Sequence, residues 1–268
     1  MLIWVSALHC EAKPVIDYYR LKKSADNNPF DLYLSDGMAC VISGIGKVSA
    51  AAACAWSAAQ FQRRASLAWI NLGTAGAGEH EIGSLFSIHQ VIDADDGQRY
   101  YPAPAAADRL DGSACMTLSR PSEDYRDECL FDMEASGYMY SSLRFSSAEL
   151  IRSLKIVSDN RHHKTGKDRR RVSELVQHQI DGIAQEAKSL IALNDELAAL
   201  SPDAQCWQRL TELAHFSQTQ KSRLRVLWRY LMNRGFDAEK LLSDLAGSPA
   251  STIISELEQT GYRDSEEL

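Results

Sequence analysis

The sequence predicts an α/β protein: a mixed, mainly parallel sheet flanked by helices on both faces across residues 1–200, followed by a helical extension across 201–268. Three observations lead there. Apolar runs of strand length at Leu2 to Leu8, Leu67 to Leu72 and Leu150 to Val157 alternate with stretches of helical period, the pattern of a sheet covered on both faces. Glycine-bearing segments, Ser43-Gly44-Ile45-Gly46 and Gly73-Thr74-Ala75-Gly76, follow two of the predicted strands. After Asp159 the strand-like runs stop and only helical periodicity remains.

Leu2 to Leu8 reads as the first buried strand. The helix predicted over Glu11 to Lys22 has apolar spacing at Val15, Ile16 and Tyr19, with Pro14 in its first turn, where a missing N–H costs little. Asp31 to Ser35 and Ala39 to Ser43 flank Asp36-Gly37, a hairpin signal. Val48 to Phe61 is alanine-rich and predicts a helix with a small face. Strands are expected at Leu67 to Leu72, Phe86 to Ile92 and Cys115 to Leu118, with Gly73 to Gly78 as a loop. Met133 to Phe145 reads as a helix and Leu150 to Val157 as a strand. Val172 to Leu200 keeps one helical period and predicts a single long helix. Beyond Pro202, helices are expected at Gln205 to Phe216, Gln218 to Asn233, Ala238 to Leu245 and Ser251 to Gln259. Their apolar faces require burial, against the α/β part or a second subunit.

The chain has 268 residues, 45% of them hydrophobic, which is enough for an α/β core with an appendage and excludes a disordered chain. A net charge of -7 excludes general polyanion binding; six Lys/Arg between Arg161 and Arg171 form a local cluster. Leu2 to Leu8 lacks a basic flank and runs into His9 and Glu11, so it is expected to be neither a signal peptide nor a membrane span. The six cysteines show no CxxC spacing and fit reduced thiols of a cytoplasmic protein. No metal, cofactor, membrane or nucleic-acid partner is implied.

Two carboxylates stand where open α/β sheets collect their chemistry: Glu134 at the start of a helix and Asp159 just past a strand. Glu134 sits among Met133, Ala135 and Gly137, so its carboxylate needs a partner, and a sugar diol would serve. The alternative for Asp159 is a cap of the next helix, the lesser of the two readings. Glu11, after the first strand, reads on position alone as a helix N-terminal acid. Gly44-Ile45-Gly46-Lys47 can present backbone N–H groups to a ligand or simply make a tight turn, and it lacks Walker A spacing. His162-His163 has no ligand-spaced carboxylate or cysteine and reads as a solvated loop.

Taken jointly, the order Glu11, Ser43-Gly44-Ile45-Gly46-Lys47-Val48, Asn71-Leu72-Gly73-Thr74-Ala75-Gly76, Met133-Glu134-Ala135 and Ser158-Asp159 resembles the purine nucleoside phosphorylase superfamily. Within it the likeness is greatest to the 5′-methylthioadenosine/S-adenosylhomocysteine nucleosidases, over residues 1 to 200. The resemblance implies a nucleoside phosphorylase-like fold and hydrolysis of a purine nucleoside, a 5′-modified adenosine, with release of the base. Asp159 would protonate N7 of the purine, positioned by Ser158. Glu11 would hold and activate the attacking water. Glu134 and the Met133 backbone would bind the ribose hydroxyls, and Thr74 would lie beneath the sugar. A homo-oligomer, a dimer, is expected.

The phosphorylase branch places an arginine where this chain has Asn71, and a glycine-rich turn where it has Glu11, so hydrolysis is the expected branch. A phosphate-dependent phosphorylase and a catalytically weak nucleoside-binding module remain alternatives. The segment from Asp95 to Phe131 is shorter than in the family and leaves the base-stacking group open, with Tyr100, Tyr101 and Tyr125 as candidates.

Overall fold

The computed structural model describes residues 1–61, 66–103, 110–121, 129–163, 168–199 and 204–266, which divide into two compact units, Met1–Asn194 and Asp195–Leu268. The first unit carries a ten-stranded sheet. Its opening strand β1 (Leu2–Ser6) is buried throughout. Helix α1 (His9–Tyr18) begins earlier than expected, so Pro14 lies inside the helix rather than in its first turn. There it withholds a backbone donor from Cys10, four residues back. The short strand β2 (Lys22–Lys23) pairs with β3 (Asp31–Ser35), which forms the expected hairpin with β4 (Met38–Ile42). Gly37 supplies the positive φ of that turn.

β1 runs parallel to both β4 and β5 (Ala68–Gly76). Their apolar residues bury against α2 (Lys47–Gln60), whose alanines permit close approach. Strand β5 does not end at Leu72: it runs through the predicted glycine loop to Gly76. It leaves β1 after Asn71 and continues alongside β10 (Ile151–Asp159), reaching β9 (Leu130–Asp132) at Gly76. β10 pairs with β6 (Leu85–Asp93), β6 with β8 (Asp111–Thr117), and β8 with β9, closing a five-stranded barrel. β7 (Arg99–Tyr100) adds to β6. Five of the strand pairings are parallel and five antiparallel among the described residues, so the sheet is mixed. Strands β2 and β7, each two residues long with no readable period, contribute antiparallel pairings alone.

Helix α3 (Ala135–Ser142) packs on α2 so closely that Gly137 meets the backbone of Lys47. The expected long helix is two: α4 (Arg169–His178) and α5 (Ile180–Ala199), broken at Gln179, whose side chain donates to the Gly83 carbonyl at 2.7 Å. In the second unit, α6 (Ala204–Glu212), α7 (Gln218–Asn233), α8 (Ala238–Leu245) and α9 (Ala250–Glu266) form a core of their own around Leu210, Leu224, Trp228, Leu231, Leu242 and Ile253. The apolar faces expected to seek another unit or subunit are thus buried against one another. No helix among the described residues is long and apolar enough to cross a membrane.

Gly137 is the tightest point of this frame, since a Cβ there would lie 1.8 Å from the Lys47 carbonyl oxygen. Gly137→Ala should cost about 3 kcal/mol, the upper end for overpacking, by forcing α2 and α3 apart. Urea unfolding of the two proteins measures it; a midpoint within error of wild type would contradict the close approach.

Candidate active site

The end of β1, the α1 start, the β5 end, the β9–α3 turn and the end of β10 enclose one cavity of about 210 Å³. All six residues singled out by sequence, Glu11, Thr74, Met133, Glu134, Ser158 and Asp159, line it. Glu11 is 4% exposed and lies in the first turn of α1. One carboxylate oxygen accepts the Leu8 N–H at 3.0 Å, and the other accepts both the N–H and the hydroxyl of Thr74, each at 2.8 Å. The reading of Glu11 as a solvated helix acid therefore fails: the side chain turns inward and is fixed by three donors.

Asp159 gets its position from an irregularity in β10. Val157 pairs with Ala75 and Asp159 with Gly76, so Ser158 is the extra residue of a bulge that re-aims the strand end. The Ser158 hydroxyl donates to Asp159 at 2.7 Å. Asp159 is the last residue of the strand, and the cap of α4 is Asp168, which accepts the backbone N–H groups of Arg170 and Arg171. The capping reading of Asp159 is thereby excluded.

Glu134 caps α3 by position and accepts the Gly46 N–H at 2.8 Å. That bond consumes the donor that the glycine turn seemed to offer a ligand. Lys47 is likewise engaged, with Asp93 at 2.7 Å and Asp95 at 2.6 Å. Burial pushes the Glu134 carboxyl up to about 7, helped by the neighbouring Asp132 charge and by Glu11, and opposed by Lys155 and the Gly46 N–H. Glu134 thus titrates near neutrality.

Beneath these groups lies a pair that sequence reading did not assign. Lys155 and Asp132 meet at 2.8 Å with side-chain exposures of 1% and 0%. Asp132 also accepts the Thr117 hydroxyl and the N–H groups of Glu134 and Ala135. Burial acts against the Lys155 charge, but Asp132, Cys115 and Glu134 outweigh it and hold the ammonium protonated. A Cβ at Gly73 would lie 3.4 Å from both the Lys155 Nζ and a Glu11 oxygen, so the cation and Glu11 approach the same point of β5. The available signal was a lysine inside the buried run Leu154 to Val157, because such a charge requires a partner.

Asn71 does not line the cavity. It is 2% exposed, donates to the Val5 carbonyl at 3.1 Å and accepts the Ser153 hydroxyl at 3.3 Å. It ties strands together, so it does not bear on the choice between water and phosphate. Tyr100 and Tyr101 are also absent from the walls, Tyr101 being 60% exposed, and Tyr125 lies outside the described residues. Leu118 and Phe131 supply apolar wall instead, with Arg120 beside them. Among the described residues no cluster of His, Cys, Asp and Glu is arranged to hold a metal.

No family model matches the chain, and a search of curated proteins finds no match. Solved structures do match. The 5′-methylthioadenosine nucleosidase of Arabidopsis thaliana aligns with a TM-score of 0.56 at 17% identity, covering 72% of this chain and 94% of that one. The 5′-methylthioadenosine/S-adenosylhomocysteine nucleosidase of Colwellia psychrerythraea, in complex with adenine, gives 0.53 at 16%, covering 72% and 95%. That of Campylobacter jejuni gives 0.52 at 15%, covering 70% and 98%. At these identities the likeness establishes a shared fold.

The raised Glu134 carboxyl has a measurable consequence. A carboxyl whose folded value lies above its ordinary 4.5 favours the folded state below 4.5 and withdraws that support as pH rises through about 7. Glu134→Gln should therefore melt several degrees above wild type at pH 8, with ~2–4 °C for each kcal/mol, and the gain should vanish near pH 4. A pH-independent difference in melting temperature would contradict the burial-driven shift.

Proposed function

We propose that the cavity binds a purine nucleoside, a 5′-modified adenosine, and hydrolyses its N-glycosidic bond. The observation that carries this reading is the convergence of Glu11, Glu134 and Asp159 from three parts of the chain on one cavity. N-glycosidic cleavage needs a proton for the departing base, a positioned water and support for an oxocarbenium-like sugar. Asp159, oriented by Ser158, delivers the proton to N7. Glu11, fixed by Thr74 and the Leu8 N–H, takes the proton of the attacking water. Glu134, once ionised, accepts the ribose hydroxyls beside the Met133 backbone, and Thr74 lies under the sugar.

Electrostatics favours water over phosphate. A phosphate in this space would face Glu11, Asp132, Glu134 and Asp159, while Lys155 is already spent on Asp132. The observation on the other side is Arg120 on the wall, which suits a phosphorylase; phosphate dependence separates the two. The six buried free cysteines fit a cytoplasmic setting, and we infer a homo-oligomer.

Purified protein should release adenine from 5′-methylthioadenosine in phosphate-free buffer, followed by chromatography of the free base. Asp159→Asn should lower kcat by about two to four orders of magnitude with little change in nucleoside affinity, since an amide still bonds the purine but supplies no proton. Strict phosphate dependence would assign the phosphorylase reaction, and binding without base release would leave a nucleoside-binding module.

A further inference from the structure

A second cavity, of about 540 Å³, shares Ala7 and Leu8 as walls with the first. Its charge is opposite. The first cavity is lined by Glu11, Asp132, Glu134 and Asp159, with Arg120 as its one cationic wall residue among those described. The second is lined by Lys13, Arg169 and Arg170, with His9 and Ser173 beside them and no carboxylate among its described lining residues. Lys13 bonds Asp17 at 2.5 Å, and Arg170 bonds Glu174 at 3.0 Å. Among the described residues Arg169 has no ion-pair partner.

The sequence places these arginines against local preference. Arg169, Arg170 and Arg171 occupy the first turn of α4, where the helix dipole disfavours cations and Asp168, the cap, is the acid beside them. Departures from local rules concentrate where function demands them. The geometry of the proposed nucleoside reading, on which the inference rests, supplies the demand. With the base at Asp159 and the ribose diol at Glu134, a 5′ substituent directed at the part of the apolar wall formed by Ala7, Leu8 and Ile45 would run toward the second recess. Leu8 borders the cationic recess.

We propose that the recess receives an anionic 5′ substituent, so that the substrate class is an adenosine bearing a 5′-phosphate or 5′-carboxylate rather than a neutral thioether. An anion near four carboxylates needs cations to be tolerated, and guanidinium groups bind phosphate and carboxylate oxygens in paired, charge-assisted hydrogen bonds.

The test compares adenosine 5′-monophosphate, adenosine-5′-carboxylate, 5′-methylthioadenosine and adenosine as substrates of the full chain, as wild type, Arg169→Ala and Arg169→Lys. Expected is a kcat/KM for one of the anionic substrates about 10-fold or more above that for 5′-methylthioadenosine at low salt, declining as salt screens the exposed cations. Arg169→Ala should erase most of that ratio, and Arg169→Lys should restore part of it. Which anion leads distinguishes phosphate from carboxylate. Release of adenine from the neutral nucleosides, with no anionic preference or with a ratio unmoved by Arg169→Ala, would overturn the inference while leaving the hydrolase reading intact. If no nucleoside is cleaved, the hydrolase reading fails by itself, and calorimetry decides the recess. Tighter binding of an anionic nucleotide than of adenosine, lost in Arg169→Ala, supports it; equal binding, or none, overturns it.

Discussion

The buried contact between Lys155 and Asp132 is the constraint on which the rest of the site depends. Ionic groups with almost no exposure are tolerated only when paired and fully hydrogen-bonded, and removing one partner of such a pair costs about 3–5 kcal/mol. Here the pair joins β10 to β9 across the barrel interior. Asp132 also collects the Thr117 hydroxyl from β8 and the two N–H groups that open α3. One carboxylate thus fixes the turn from which Met133 and Glu134 face the cavity. The cation beside it offsets the negative charge that Glu11, Glu134 and Asp132 bring into a small volume.

Each acid is set by a different local device. Glu11 is held by backbone and hydroxyl donors of β5 and the β1–α1 turn. Asp159 is aimed by a bulge, and Glu134 is anchored to Gly46 through the α2–α3 approach that Gly137 allows. These devices give three carboxyl groups distinct surroundings within one cavity, the condition under which neighbouring acids take different roles. Burial, with the neighbouring Asp132 charge second, pushes the Glu134 carboxyl up to about 7.

The candidate site was more legible than the sheet around it. Glu134 and Asp159 stand at helix and strand ends in short glycine- and serine-bearing segments, whereas Glu11 reads on position alone as a helix acid, and the site roles of all three come from the resemblance of their joint order. The closed barrel was not legible, because β9 and β7 are too short to show a period and β5 continues through glycines that read as a loop. The apolar spacing of Leu175, Val176, Ile180 and Ile183 runs on across the break between α4 and α5, which is imposed by the Gln179 contact with Gly83. Asn71 misled because chain position does not tell which way a buried side chain in a strand is spent. Lys155 was legible in principle, and the signal was the cost of an unpaired charge in an apolar strand.

The most direct measurement is a crystal structure with a non-hydrolysable purine nucleoside analogue bound. The predicted result places the base nitrogen N7 within hydrogen-bond distance of Asp159, the ribose diol on Glu134, and an ordered water between Glu11 and the anomeric carbon. An analogue bound outside this cavity, or bound with Glu11 on the side of the sugar from which the base departs, would contradict the assignment of the three carboxyl groups.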